Sequence, residues 1–206
     1  MSFVTRIFPL IGLIFIASTA TAQTFSGPHV EAVVGLNHDS RDELNQRLKD
    51  SSLVYGAGGG YDVRTGDVVI GVLGEISGTT NKNCGTYDIA AAPPSASLAG
   101  RLCSRSQRSL FAGARLGYVV GERTLGYVVG GYENLRNKTS FNGTLNGVDA
   151  PKRGHDSENG FRVGAGLEHA ISQHAFIKAE YRYSWTGAES PSSVRHQIVS
   201  GIGFRF

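Results

Sequence analysis

Charged side chains alternate with apolar ones in several segments, and this pattern is the strongest sign of chemistry in the sequence. Lys178, Glu180 and Arg182, for example, occupy every second position between apolar residues. Alternate side chains of an extended strand face the same way, so these charges share one face. The same interpretation along the whole chain predicts a single polar face, which carries Glu31, Asp62, Glu75, Arg115, Arg162, Glu168, Lys178, Glu180, Arg182, Arg195 and Arg205.

Charges of both signs on one enclosed face allow two kinds of chemistry. Isolated charges in a narrow, poorly hydrated space are costly, so opposite charges are expected to pair into a salt-bridge network. Alternatively, the same side chains could line a narrow water-filled path and set its ion selectivity. Eight strands enclose an interior about wide enough to be filled by side chains, which favours the network. The sequence leaves both interpretations open.

A tripeptide of hydrolase residue types occurs twice, as His38-Asp39-Ser40 and His155-Asp156-Ser157. Adjacent residues do not simply adopt the geometry of a catalytic triad, in which each group orients the next. The chain also lacks a G-x-S-x-G elbow and an H-E-x-x-H metal motif. We therefore predict that the protein is not an enzyme and has no catalytic residue, cofactor or metal site, although a lipid-modifying activity stays as a third alternative.

The chain contains two cysteines, Cys84 and Cys103, within one polar segment. A bond between them would close a loop of about 20 residues, worth on the order of 3 kcal/mol in the loop-entropy model. A two-cysteine metal site is the competing interpretation, but the C-x-x-C spacing and further ligands are missing. We expect a disulfide, which an exported protein permits.

The N-terminus predicts export. Arg6 precedes an apolar stretch at positions 7–17 that is too short to span a bilayer as a helix. Ala20-Thr21-Ala22 then offers the small residues that signal peptidase recognises. We expect a signal peptide at residues 1–22 and one domain at residues 23–206.

The rest of the chain reads as eight alternating segments of about ten residues, the pattern of transmembrane β-strands. The predicted strands are Pro28 to Asn37, Leu53 to Val63, Asp67 to Ser77, Gln107 to Val120, Thr124 to Glu133, Gly160 to Ala170, His174 to Trp185 and Val194 to Phe206. Three connections are three-residue turns. The other four, at 38–52, 78–106, 134–159 and 186–193, are longer and are predicted to be loops. Short turns on one side and long loops on the other are typical of an outer-membrane barrel.

The apolar face of these strands is predicted to face lipid. Its aromatic residues cluster near the strand ends, as interfacial girdles do. One girdle is predicted from Tyr61, Tyr118, Tyr127, Phe204 and Phe206, and the other from Tyr55, Phe161, Tyr183 and Trp185. The predicted fold is an all-β, eight-stranded antiparallel up-and-down transmembrane barrel.

The final strand, RHQIVSGIGFRF, ends in Phe204 and Phe206 and resembles the closing strand that the barrel assembly machinery recognises. Together with GARLGYVVGERTLGYVVGGYEN and GFRVGAGLEHAISQHAFIKAEYRY, it is similar to the proteobacterial outer-membrane β-barrel family. That family includes opacity-type and immunogenic surface proteins, "porin family" members and the OmpA-like transmembrane domain. The resemblance covers essentially the whole mature chain. It implies an outer-membrane location, with both termini in the periplasm and the long loops outside the cell.

The expected role is therefore structural and interactive, with the long loops as contact sites. The expected partners are outer-membrane lipid or lipopolysaccharide, the barrel assembly machinery and, through the loops, a host, phage or envelope protein. Nucleic acid is not expected, because the net charge of +3 is scattered without a basic run. A narrow porin-like channel with a charged lumen is the alternative.

Overall fold

A computed structural model describes residues 25–43, 46–80, 82–89, 98–145, 148–186 and 193–206. In chain order the strands are β1 (Gly27–Glu43), β2 (Gln46–Thr65), β3 (Val68–Thr79), β4 (Lys82–Ile89), β5 (Leu98–Val120), β6 (Thr124–Leu145), β7 (Val148–Asp149), β8 (Lys152–Ala170), β9 (Ala175–Thr186) and β10 (Ser193–Arg205). Within these residues, no helix has the length and hydrophobicity that a membrane crossing requires.

Eight of the strands close into an antiparallel barrel in the order β1–β2–β3–β5–β6–β8–β9–β10, and β10 pairs back with β1. Barrel strands that follow one another in chain order are paired antiparallel, as an up-and-down barrel requires. The closing pair keeps one register from His29 opposite Arg205 to Ser40 opposite Val194. Closure leaves no open sheet edge in the barrel wall. The predicted eight-stranded fold is confirmed.

The barrel wall is apolar outside and charged inside. Ile70, Val72 and Leu167 are about 60% exposed on the outer surface, whereas Asp62 and Glu168 are fully buried. A soluble half-buried sheet would have the opposite arrangement. Because polar groups fill the interior and aliphatic groups cover the outside, the barrel is suited to a lipid environment.

One predicted member of the aromatic girdles is wrong. Tyr127 lies inside the barrel, where its hydroxyl donates a hydrogen bond to Glu180 at 2.6 Å. The segment from Tyr127 to Tyr132 has apolar residues or glycine on both faces, so its parity is ambiguous in sequence. The other eight predicted girdle residues occupy outward positions at the two ends of the wall.

The connections at one end of the barrel, here called the short-turn end, are tight. Gly66 and Gly121 adopt positive φ values of 62° and 71°, which glycine accepts without steric cost. The third turn, at residues 171–174, joins β8 to β9. The chain termini of the described part also lie at this end, where Phe206 N–H donates to the Pro28 carbonyl.

The opposite end, here called the hairpin end, departs from the sequence prediction. The segments 38–52, 78–106 and 134–159 were predicted as loops, but most of their described residues belong to strands that continue beyond the barrel. Outside the membrane both strand faces meet water, so no apolar alternation marks the strand, although backbone pairing still satisfies its hydrogen bonds. The predicted loop at 186–193 falls largely outside the described residues.

The continuing strands build a four-stranded sheet beyond the barrel, here called the outer sheet. Its order is β4, β5, β6 and then β7 with the first part of β8. Cys84 on β4 and Cys103 on β5 are directly paired and form a disulfide. This covalent bond ties the edge strand β4 to its neighbour.

Candidate functional site

The structure buries all eleven charged residues that the sequence placed on the polar face. Each is at most 9% exposed, and they project from seven of the eight barrel strands. Strand alternation explains this, because the charges sit at every second position while the intervening residues face outward. Ten of them, all except Arg195, lie in two groups, one near the short-turn end and one extending from mid-barrel toward the hairpin end.

The group near the short-turn end is a closed ring of four side chains, here called the Asp62 ring. Arg115 donates to Asp62 through both Nε and a terminal nitrogen, and to Glu168 at 2.9 Å. Arg205 donates to the same two carboxylates at 2.8 Å each. The four residues come from β2, β5, β8 and β10, so the ring crosses the lumen from wall to wall.

The second group is a chain of charges, here called the Glu75 chain. Glu75 accepts hydrogen bonds from Arg182 at 2.6 and 2.8 Å and from Arg162 at 3.1 Å. Arg182 also donates to Glu180 at 2.6 Å. Lys178 continues the chain by bridging Glu180 at 3.4 Å and Glu31 at 2.6 Å. The chain therefore runs between β1, β3, β8 and β9.

Glycine makes room for this density of long side chains. A Cβ atom at Gly71 would collide with the carboxylate of Asp62, and one at Gly166 would lie 2.8 Å from the ring of Tyr127. Glycine is the residue that permits such close approach. At these two positions the packing of the interior therefore requires glycine.

Sequence reasoning missed several members of the interior. Glu133 is 1% exposed, accepts a hydrogen bond from Ser109 and lies 4.0 Å from Arg162. Glu133 lies on β6, which has no clear alternation of apolar and polar residues. Strand β8 alternates more clearly, so the pairing of β6 with β8 could have shown that Glu133 faces inward. His29 also belongs to the interior, where it lies 3.1 Å from Asp62 with almost no exposure.

Aromatic rings complete the interior packing. The guanidinium of Arg162 lies over the Phe111 ring at 3.7 Å, and that of Arg205 lies 5.5 Å from the Phe176 ring. Such cation–π contacts are worth roughly 2 kcal/mol when desolvated. With Glu133 included, six buried carboxylates (Glu31, Asp62, Glu75, Glu133, Glu168, Glu180) face six buried cations (Arg115, Arg162, Lys178, Arg182, Arg195, Arg205).

This arrangement is suited to filling the lumen. Each described carboxylate of the Asp62 ring and the Glu75 chain holds at least one cation within hydrogen-bond distance, so the fixed charges neutralise one another locally. An ion that entered would have to compete with these bonds. A buried pair gives little net stability relative to apolar residues, but breaking it is costly.

The remaining predicted features lie apart from this interior. Both tripeptides fall in strands, at 38–40 in β1 and 155–157 in β8. In β8, His155 and Ser157 face outward from the outer sheet while Asp156 faces the other way, which does not match a triad. Phe204 and Phe206 lie on the outer wall near the short-turn end. Among the described residues, no three His, Cys, Asp or Glu side chains could hold a metal ion together.

The sequence of this chain matches the model of a known protein family. The family model described as "Outer membrane protein beta-barrel domain" matches residues 8–206. No curated protein matches this chain in sequence. Among solved structures, Neisserial surface protein A is 18% identical, with 88% of this chain and 98% of that chain covered and a TM-score of 0.50.

Two further structures are similar at lower TM-scores. The attachment invasion locus protein of Yersinia pestis is 18% identical, covers 88% of this chain and 99% of its own, and has a TM-score of 0.49. The N-terminal β-barrel domain of Pseudomonas aeruginosa OprF is 17% identical over 84% and 97% of the two chains, with a TM-score of 0.40. At these identities the likeness concerns the fold.

Proposed function

The chain belongs to the outer membrane protein β-barrel family, and from this premise we propose that it acts as a closed barrel whose outer hairpins make contacts at the cell surface. The observation that carries the proposal is the Asp62 ring, whose four side chains link β2, β5, β8 and β10 across the lumen. A lumen filled in this way favours a structural and interactive role over transport. The outer membrane is the compartment of the family.

The outer sheet is the proposed contact site. Strands β5 and β6 stay paired from the short turn to Leu98 opposite Leu145, well beyond the apolar wall. A paired and disulfide-linked sheet loses less conformational freedom on binding than a free loop, so it can present a fixed surface. The proposed partners through this surface are a host, phage or envelope protein. The C-terminal strand with Phe204 and Phe206 would engage the barrel assembly machinery.

We assign no enzymatic activity, because the buried charges pair with one another and His155, Asp156 and Ser157 do not converge. The narrow channel remains the second candidate. It would require that the Asp62 ring and the Glu75 chain open, and no described contact favours that opening.

The orientation can be tested by thiol labelling on whole cells. We propose that the hairpin end faces outward, so Asp149→Cys, exposed near the tip of the outer sheet, should react with a membrane-impermeant maleimide on intact cells. Glu122→Cys, exposed in the β5–β6 short turn, is the matched variant and should react only after the outer membrane is opened. The parent chain, whose two cysteines are bonded to each other, should stay unlabelled.

Labelling of Glu122→Cys on intact cells, together with protection of Asp149→Cys, would reverse the proposed orientation and remove the basis for a surface role. Heat-dependent gel mobility of each variant would show that the compact barrel has formed before the labelling is interpreted.

A further inference from the structure

One face of the outer sheet carries a dense set of cations. The strand register fixes this face, because directly paired residues of antiparallel strands project to the same side. Lys82, Arg105 and Lys138 form one row across β4, β5 and β6, and Arg108 pairs with Arg136 in the row nearer the barrel. The three rows of this side nearest the barrel, here called the basic face, carry Lys82, Arg105, Arg108, Arg136, Lys138 and Arg153, and Arg101 lies on the same side one row nearer the tip.

The basic face has no internal compensation in the described part of the chain. None of its six cations forms an ion pair there, and the acidic residues Asp156 and Glu158 of β8 project from the opposite face. Asp149 projects to the same side but lies near the tip, opposite Thr144, which is six residues along β6 from Lys138, or about 20 Å. Like charges directly opposite each other destabilise a sheet. An anion that lies against this face would relieve the repulsion.

Further along the same strands, beyond the rows that hold Asn134 and Tyr132, the wall is apolar and grooved. The same strands continue toward the short-turn end as outward Leu116, Val128 and Val163, which border a shallow groove of about 660 Å³. The small residues Ala114, Gly130 and Ala165 lie between them and leave space for a ligand chain. The groove and the basic face therefore lie on the same side of β5, β6 and β8, and Gly130 in the groove is six residues, or about 20 Å along the strand, from Arg136.

We propose that this wall binds a phosphate-bearing lipid of the outer leaflet, with its phosphates on the basic face and an acyl chain in the groove below. Arginine and lysine are the usual phosphate ligands, and arginine can grip a phosphate through two hydrogen bonds. The rows of Arg136, Lys138 and Arg153 follow one another at about 7 Å along β6 and together span roughly 14 Å, so the face can hold the two separated phosphates of a diphosphorylated headgroup. The groove favours a lipid over a soluble polyanion. The inference deepens the proposed surface role and rests on its outward orientation.

The test uses the refolded barrel in micelles and measures retention of diphosphorylated lipid A by native mass spectrometry. The parent protein should retain it at least tenfold more strongly than the dephosphorylated form. The triple variant Arg105→Gln/Arg136→Gln/Lys138→Gln should lose at least tenfold in affinity, since each cation near an anionic headgroup is worth about 1 kcal/mol. The matched control is Arg123→Gln/Lys152→Gln, which removes charges from the short turn and from the opposite face of the outer sheet. It should change affinity less than twofold.

A second variant separates the lipid from a soluble ligand. Ala165→Phe fills the groove and should weaken lipid A retention while leaving binding of inositol hexakisphosphate unchanged. Equal retention of phosphorylated and dephosphorylated lipid A would overturn the proposal. So would tight inositol hexakisphosphate binding combined with lipid A retention that Ala165→Phe does not alter, because the face would then serve a soluble polyanion. Micelles impose no orientation, so a negative result here is independent of the thiol labelling that tests the surface role.

Discussion

Arg115→Ala is expected to lower the free energy of unfolding by about 3 kcal/mol or more, which is the usual effect of breaking a buried ion pair. The substitution removes three hydrogen bonds and leaves Asp62 and Glu168, both fully buried, sharing only Arg205 as their guanidinium partner. Two carboxylates that are drawn together around one cation also repel each other. Guanidinium unfolding in phospholipid vesicles, followed by the single tryptophan Trp185, would measure the change.

Two comparison variants give this result its meaning. Arg123→Ala removes an exposed arginine from the β5–β6 turn and should change the free energy of unfolding by less than about 0.5 kcal/mol. Adding Glu168→Gln to Arg115→Ala removes one stranded charge and should recover part of the loss. The Asp62 ring would not be what stabilises the barrel if Arg115→Ala left the free energy of unfolding unchanged. The same would follow if Arg123→Ala lowered it as much as Arg115→Ala does.

Glu75→Ala is expected to have the second large effect, again about 3 kcal/mol of unfolding free energy. Glu75 is the shared acceptor of Arg162 and Arg182, so its loss leaves two buried guanidinium groups facing each other. Arg182 keeps Glu180, and Arg162 keeps its contact with Phe111, which limits the loss. The same vesicle unfolding experiment would measure it.

Glu75→Gln is the informative partner of that variant. Glu75→Gln preserves the size of the side chain and one acceptor oxygen but removes the charge. If electrostatics dominate, its free energy of unfolding should lie between those of the parent and of Glu75→Ala. If Glu75→Gln unfolds as the parent does, packing rather than charge pairing is the contribution of Glu75, and the account of the Glu75 chain is wrong.

Strand alternation made the barrel wall predictable. Wherever one face meets lipid and the other meets a charged interior, the sequence must alternate, as it does around Lys178, Glu180 and Arg182 in β9. All eight barrel strands and the inward positions of the predicted charges could be located in this way. The pairing partners could not, because the register between strands decides whether Arg115 meets Asp62 or Glu168.

The outer sheet was not predictable by the same argument. Residues such as Arg105, Lys138 and Arg153 alternate with other polar residues, so no difference between the two faces identifies a strand. The basic face exists only after β4, β5, β6 and β8 are aligned. Glu133 and Tyr127 were missed or misplaced because β6 is apolar or glycine-rich on both faces near them.

The most direct test of the central claim is single-channel conductance of residues 23–206 refolded into a planar bilayer. A gel-mobility difference between unheated and boiled samples would first establish that the barrel has formed. We expect a folded protein that passes no measurable current, because the Asp62 ring and the Glu75 chain fill the lumen. Reproducible conductance steps that Arg115→Ala or Glu75→Ala alters would contradict it and would make the interior charges an ion path.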